Sequence, residues 1–255
     1  MNTGAITGYF DVAQIVLYAF WIFFAGLLIY LRKEDKREGY PLESDRSGRV
    51  TVQGFPAMPA PKTFVLADGS TVQAPRAERD ARPVLAEPMG LHLGAPLQPT
   101  GNPMLDAVGP AAYAERANAP DRTIDGLPMI VPSRAAPGFT VSNKDPDPRG
   151  MEVYGADGES GGVVTEIWVD RAEPQIRYLE VGLTNSRRVL LPITFVKVDA
   201  ARRRINVNSI LGSQFAGVPA IASPDQVTRR EEDRIMAYFA SGNLYATPAR
   251  CEPLL

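Results

Sequence analysis

Residues 11–41 read DVAQIVLYAFWIFFAGLLIYLRKEDKREGYP. From Val12 to Leu31 there is no charged side chain, and Gln14 is the one strongly polar group. Arg32-Lys33-Glu34-Asp35-Lys36-Arg37 follows without transition. About 20 residues at 1.5 Å each match the roughly 30 Å hydrocarbon core of a bilayer. Twelve of them are Leu, Ile, Val or Phe. At roughly −0.3 to −0.6 kcal/mol each, insertion is favoured by about 4 to 7 kcal/mol. Lipid cannot satisfy open backbone groups, so residues 12–31 are expected to form a single transmembrane helix. A cleaved signal peptide fits poorly: no basic region precedes the run, the apolar stretch is too long, and no small-x-small site stands before the charges. Tyr9, Phe10 and Tyr30 fall where an aromatic belt would lie.

Charge orients the span. Residues 1–11 contain no Lys or Arg, whereas 32–37 contain four. The positive-inside rule places 1–11 outside the cytoplasm and everything after Arg32 within it. A single cysteine, Cys251, allows no internal disulfide, which suits a reducing compartment. Beyond the span the chain is as polar as a soluble domain. Its 27 basic and 29 acidic residues are well mixed and its net charge is −2. No basic domain, aromatic-basic interleaving or zinc-finger spacing points to nucleic acid.

Two regimes follow the span. Residues 32–145 are irregular: 17 of the 23 prolines fall between Pro41 and Pro148. Yet Phe55, Phe64, Val65, Leu66, Met89, Leu91, Leu97, Met104, Leu105, Val108 and Tyr113 recur through it. So much apolar material in an irregular segment implies a chain laid over another surface. KTFVLADGSTVQAP reads as a hairpin: strand Thr63–Leu66, turn Asp68-Gly69, strand Thr71–Gln73. Short helical turns are expected at 103–106 and 111–117. Residues 146–240 are periodic. Runs at 163–169, 176–183, 188–191, 194–198 and 204–208 are separated by turn signals, and Leu179, Val181 and Leu183 share one face. This spacing predicts a mainly-β domain, a small antiparallel barrel or sandwich. A C-terminal helix follows. Ser223-Pro224-Asp225-Gln226 reads as its capping box, Arg229 to Arg234 as its solvated face, Gly242 as its stop, and 241–255 as a tail.

Enzyme templates fail on inventory. The only histidine, His92, stands in a Gly/Pro-rich stretch without an acidic neighbour. No Cys/His cluster, nucleophile elbow, P-loop or strand-led dinucleotide fingerprint is present. GESGG at 158–162 lies between expected strands and reads as a turn.

Three stretches carry a family resemblance: FWIFFAGLLIYLRKEDKREGYPLE, GAPLQPTGNPMLDAVGPAAYAERA, and VVTEIWVDRAEPQIRYLEV with LLP after it. Over about residues 5–250 the chain resembles the H subunit of the purple-bacterial photosynthetic reaction centre. The periodic region is similar to a PRC-barrel. The resemblance implies one transmembrane helix in the bacterial inner (photosynthetic) membrane, with the N-terminus periplasmic and the β domain cytoplasmic. It implies a non-catalytic lid over the two pigment-binding membrane subunits. Bacteriochlorophyll, bacteriopheophytin, quinones and non-haem iron are expected in those partners and none on this chain. A light-harvesting antenna ring and a tetrahaem or soluble cytochrome are further partners to expect in such a complex, together with membrane lipids.

The resemblance also implies stabilisation of the quinone region and proton conduction to the secondary quinone. Asp170 and Glu173 match the family's relay carboxylates, Asp125 matches another, and Arg177 matches a basic residue that tempers their charge. Some relatives follow the Asp125 position with histidines that serve as the proton entrance; here the loop is Asp125-Gly126-Leu127-Pro128-Met129, and entry through Asp125 or another carboxylate is the substitute expectation. Tyr30, Arg32, Lys33, Lys36, Arg37 and Tyr40 are expected at the membrane interface, against lipid heads or partner loops. The competing readings are a membrane-tethered β-barrel adaptor for a soluble partner and a membrane-anchored enzyme using carboxylate chemistry.

Overall fold

Asp11 starts the first helix. Its carboxylate accepts from the Gln14 N–H at 2.7 Å, and α1 runs Val12–Asp35. The structure, a computed structural model, describes residues 4, 6, 11–40, 42, 54–66, 69–76, 82–92 and 94–251. Tyr9, Phe10 and Asp68 lie outside these. Contacts divide the chain into two units, Met1–Ala81 and Arg82–Leu255. The segment expected to be irregular from 32 to 145 is therefore shared between them.

In the first unit α1 outlasts its apolar run by a full turn, because Arg32 to Asp35 are compatible with a helix and have water to face. None of its residues is buried. The expected hairpin is present: β1 (Lys62–Val65) pairs antiparallel with β2 (Thr71–Ala74), with Phe64 opposite Val72. Polar bonds tie this hairpin to the helix end. The Arg37 guanidinium donates to Ala60 O (2.7 Å), Ala74 O (2.9 Å) and Glu34 Oε2 (2.8 Å). Lys62 Nζ reaches Glu34 Oε2 at 2.6 Å. The Lys36 ammonium donates to Gly54 O (3.0 Å) and to Pro56 O, and lies 5.5 Å from the Tyr40 ring centre. A proline-rich segment is short of N–H donors, so its carbonyls take them from side chains.

In the second unit, β3 (Ala86–Pro88) and β4 (Leu97–Pro99) form a small separate ribbon. Asn102 to Asp106 makes a helical turn and Gly109–Ala111 a 3-10 turn, while the expected turn at 112–117 is absent. The main sheet holds β5 (Ile130–Pro132), β6 (Glu152–Tyr154), β7 (Ser160–Asp170), β8 (Gln175–Gly182), β9 (Arg188–Pro192), β10 (Lys197–Asp199) and β11 (Arg204–Asn206). Its order is β10-β11-β6-β7-β8-β9, with β5 on the far end of β7. Only β11–β6 is parallel. β7 serves β6 with its first half and β5 with its last, and two register shifts against β8 let it bend between them. Leu179 and Val181, with Ile167 opposite Leu179, share one face of the sheet, while Trp168, opposite Tyr178, lies on the other; Leu191, Ile205, Phe215, Ile235 and Phe239 are, like these, essentially inaccessible to water.

Three expectations are corrected. The run 194–198 is split: Ile193–Phe195 is a 3-10 turn after Pro192, and only Lys197–Asp199 is strand. The C-terminal helix α2 spans Arg229–Tyr245, and its capping box is Thr228 with Glu231, not Ser223 with Gln226. The earlier residues are otherwise occupied: Pro224 O and Asp225 Oδ1 accept from Arg134, at 2.5 and 2.8 Å. Nor does Gly242 stop the helix. It lies inside α2 because a Cβ there would stand 2.3 Å from Ser209 O.

Candidate functional site

The turn between β7 and β8 holds the first expected carboxylate. Asp170 ends β7 almost completely buried, at 4% exposure. Its Oδ1 accepts from the N–H groups of Ala172 (2.9 Å) and Glu173 (3.2 Å). This short side-chain-to-backbone closure forces the chain round within four residues. Its Oδ2 stands 3.9 Å from Arg177 Nε. Glu173 is exposed in the same turn and accepts from Gln175 Nε2 at 3.0 Å. Asp170, Glu173 and Arg177 are thus brought together: a carboxylate in water, a second one shielded from it, and a guanidinium beside the second.

Asp125 is placed differently. It is exposed at the apex of a tight turn closed by the Arg122–Pro128 bridge. Arg171 connects that segment to the Asp170 turn: its N–H donates to Met129 O (2.9 Å) and its guanidinium to Pro128 O (3.3 Å) and Ala135 O (2.6 Å). The bonds that fix Asp170 do not include Asp125.

Sequence reasoning missed Glu232 by assigning it to a solvated face. It is in the first turn of α2 and half-buried, and its Oε2 accepts from the Tyr178 hydroxyl at 2.8 Å. Burial pushes its carboxyl above the ordinary range, against the Tyr178 hydrogen bond and the charges of Arg177 and Arg116. Burial also raises the Tyr178 hydroxyl, and the Glu232 charge adds to that. Arg116 pairs with Asp233 at 3.1 Å, and Arg230 with Glu115 at 3.1 Å. Arg177 therefore acts electrostatically on two carboxylates, Asp170 and Glu232, that lie far apart in sequence.

A second acidic pair also went unread. Glu180 and Glu166 are direct partners across β7 and β8. Glu180 is 3% exposed and accepts from Thr165 Oγ1 (3.0 Å), Trp168 Nε1 (3.2 Å) and Arg188 Nη1 (3.2 Å). Glu166 accepts from Ser133 Oγ at 2.7 Å. Opposed like charges are unfavourable; Arg134, 3.8 and 3.9 Å from the two, offsets this. The signal was a lone carboxylate in the apolar run Tyr178-Leu179-Glu180-Val181.

The interface residues split. Tyr30, Arg32 and Lys33 are exposed on α1. Arg32 donates to the Tyr40 hydroxyl at 2.9 Å. Lys36 and Arg37, expected against lipid or partner, instead turn inward onto carbonyls of the 54–76 segment. His92 and Cys251 are exposed. Among the described residues no three His, Cys, Asp or Glu side chains converge as metal ligands.

An apolar helix ahead of a curled, mostly antiparallel sheet closed off by a helix defines a membrane-anchored β-domain protein. Residues 142–214 match the PRC-barrel domain. Residues 4–135 match the photosynthetic reaction centre H-chain N-terminal region. The chain belongs to the photosynthetic reaction-centre H-chain family. Members are non-catalytic subunits without pigments of their own, and they associate with the reaction-centre membrane subunits.

Proposed function

We propose that this subunit caps the cytoplasmic face of the pigment-binding pair in a bacterial photosynthetic membrane, steadies the quinone region and conducts protons toward the secondary quinone. Reducing a quinone fully takes two electrons and two protons, and a pocket covered by protein needs a path for the protons. The observation that carries the reading is the Asp170–Glu173 turn. Exposed Glu173 is open to water, while buried Asp170 is bonded to two N–H donors and lies beside Arg177. A solvated and a desolvated carboxylate in one turn have the gradation that stepwise transfer requires. The Arg177 charge extends this set to Glu232, whose raised pKa brings it nearer to exchange at working pH. Asp125, exposed beside the strand that pairs with Asp170, is the candidate entrance in place of histidine.

The test uses the assembled complex. Glu173→Gln and Asp170→Asn are each expected to slow flash-driven uptake of the second proton by about a hundredfold, the lower end of a typical general acid–base contribution. Equal rates in wild type and both variants from pH 6 to 9 would remove this turn from the path.

A further inference from the structure

The 54–76 segment has a surface that the proposed role does not use. Phe55 is 79% exposed and Val65 73%, with Phe64 and Leu66 also open. Phe64 faces one side of the hairpin and Val65 the other, because successive strand residues alternate. An apolar tip with two open faces is poorly matched to a flat protein surface, which covers only one. A fluid medium that surrounds the tip covers both.

Four polar contacts fix the base of this hairpin and the Phe55 loop at the helix end, with Val65 three strand residues further out. Lys36 holds Gly54 O, Arg37 holds Ala60 O and Ala74 O, and Lys62 holds Glu34. Glu34 is three residues past Leu31, the last apolar residue of the span, so the attachment lies about 5 Å along the helix from the end of the hydrocarbon-matched run. Exposed Arg32 and Lys33 ring the same turn, and neither hairpin strand carries a carboxylate. Charge and continuity with the span both favour a phospholipid surface.

We propose that the β1–β2 hairpin and the Phe55 loop form a lipid-interface foot, with Phe55, Phe64, Val65 and Leu66 seated at the boundary of headgroups and acyl chains. The foot gives the helix a second, off-axis hold on the bilayer. It resists rotation of the helix about its own axis, which a lone span does not.

The full chain with Cys251→Ser is labelled with an environment-sensitive fluorophore at Val65→Cys, Phe55→Cys, Ile22→Cys or Val198→Cys, all exposed positions. It is reconstituted in phosphatidylcholine–phosphatidylglycerol vesicles containing lipid spin-labelled near the headgroup end of the acyl chain. Labels at 65 and 55 are expected to be quenched about threefold more than the label at 198, as for groups lying in the interface. Ile22→Cys reports the span itself, so loss of the span and loss of the foot read differently. Quenching at 65 and 55 no stronger than at 198, with Ile22→Cys quenched, overturns the proposal. In the native complex the lipid quenching at 65 must persist. Its loss, together with shielding from aqueous iodide, assigns the patch to a protein partner and also overturns it. Arg37→Ala should lower quenching at 65 without altering it at 22; an unchanged value at 65 would show that the helix end does not position the foot.

Discussion

The two units of this chain solve the same problem in opposite ways. Among the described residues, the buried aliphatic and aromatic side chains other than Pro56 and Pro59 all lie at Met104 or beyond. The Arg82–Leu255 unit holds itself together with a core: Trp168, Phe215 and Phe239 are packed against strands and α2. Among the described residues of the Met1–Ala81 unit, Lys36 is fully withdrawn from water, and ammonium or guanidinium groups bond to carbonyls there. Such bonds set geometry without burying the apolar area that a core removes from water. The lesson is that the second unit carries its own solvent-excluded interior, while the first borrows one from whatever surrounds its apolar surface.

The sharpest way to break this comparison is Trp168→Ala. It deletes a fully buried ring and the indole donor to Glu180, and urea unfolding should show a loss of about 3–5 kcal/mol. A loss below about 1 kcal/mol would show that this buried cluster is not the main source of stability. Next is Arg37→Ala in detergent. Removing its two anchor points on this segment should speed proteolysis between residues 54 and 76 by about tenfold, equivalent to about 1.4 kcal/mol of easier local opening. The barrel should be cut at its original rate, and faster cutting there would contradict the independence of the two units.

Glu232→Gln tests the polar edge of the second unit. The folded carboxyl titrates above its ordinary 4.5, so between that value and the raised one the folded protein keeps a proton that the unfolded chain releases. Stability therefore falls as pH rises through this window and is unaffected by this group below it. Gln keeps an acceptor for Tyr178 without the charge, so the variant should lack that part of the slope in urea titrations above pH 5. An unaltered slope would mean that Glu232 ionises in the fold as it does in water. The smallest effect belongs to Phe64→Ala: in detergent, stability should shift by less than about 0.5 kcal/mol, since the ring is already open. A large loss would reveal a core in the first unit.

Much of the fold was legible because its signals are short-range. An uncharged run of membrane length, a hairpin around Asp68-Gly69, and period-two apolar residues at Leu179 and Val181 each need only a few neighbours to read. The misses were places where a distant element takes up local chemistry. Ser223 to Gln226 has capping residues, but Arg134, some 90 positions earlier, binds Pro224 O and Asp225. Strands β5 and β6 are three residues each, too short to show a period, and exist because β7 offers them a ladder. At the candidate site, Asp170, Glu173 and Arg177 could be grouped because one turn contains them. Glu232 could not, since its partner Tyr178 is 54 positions away.

By itself, then, the sequence determined that an N-terminal helix is long and apolar enough to cross a membrane and that a β-rich body follows, because hydrophobic length and alternation are properties of contiguous residues. Only the tertiary structure decided which charges face water and which do not. Lys36 and Arg37 turn inward to carbonyls, Asp170 is sealed and Glu173 left open, and Glu232 is drawn against Tyr178. Desolvation depends on the atoms that close around a group, and those atoms come from segments that no local pattern connects.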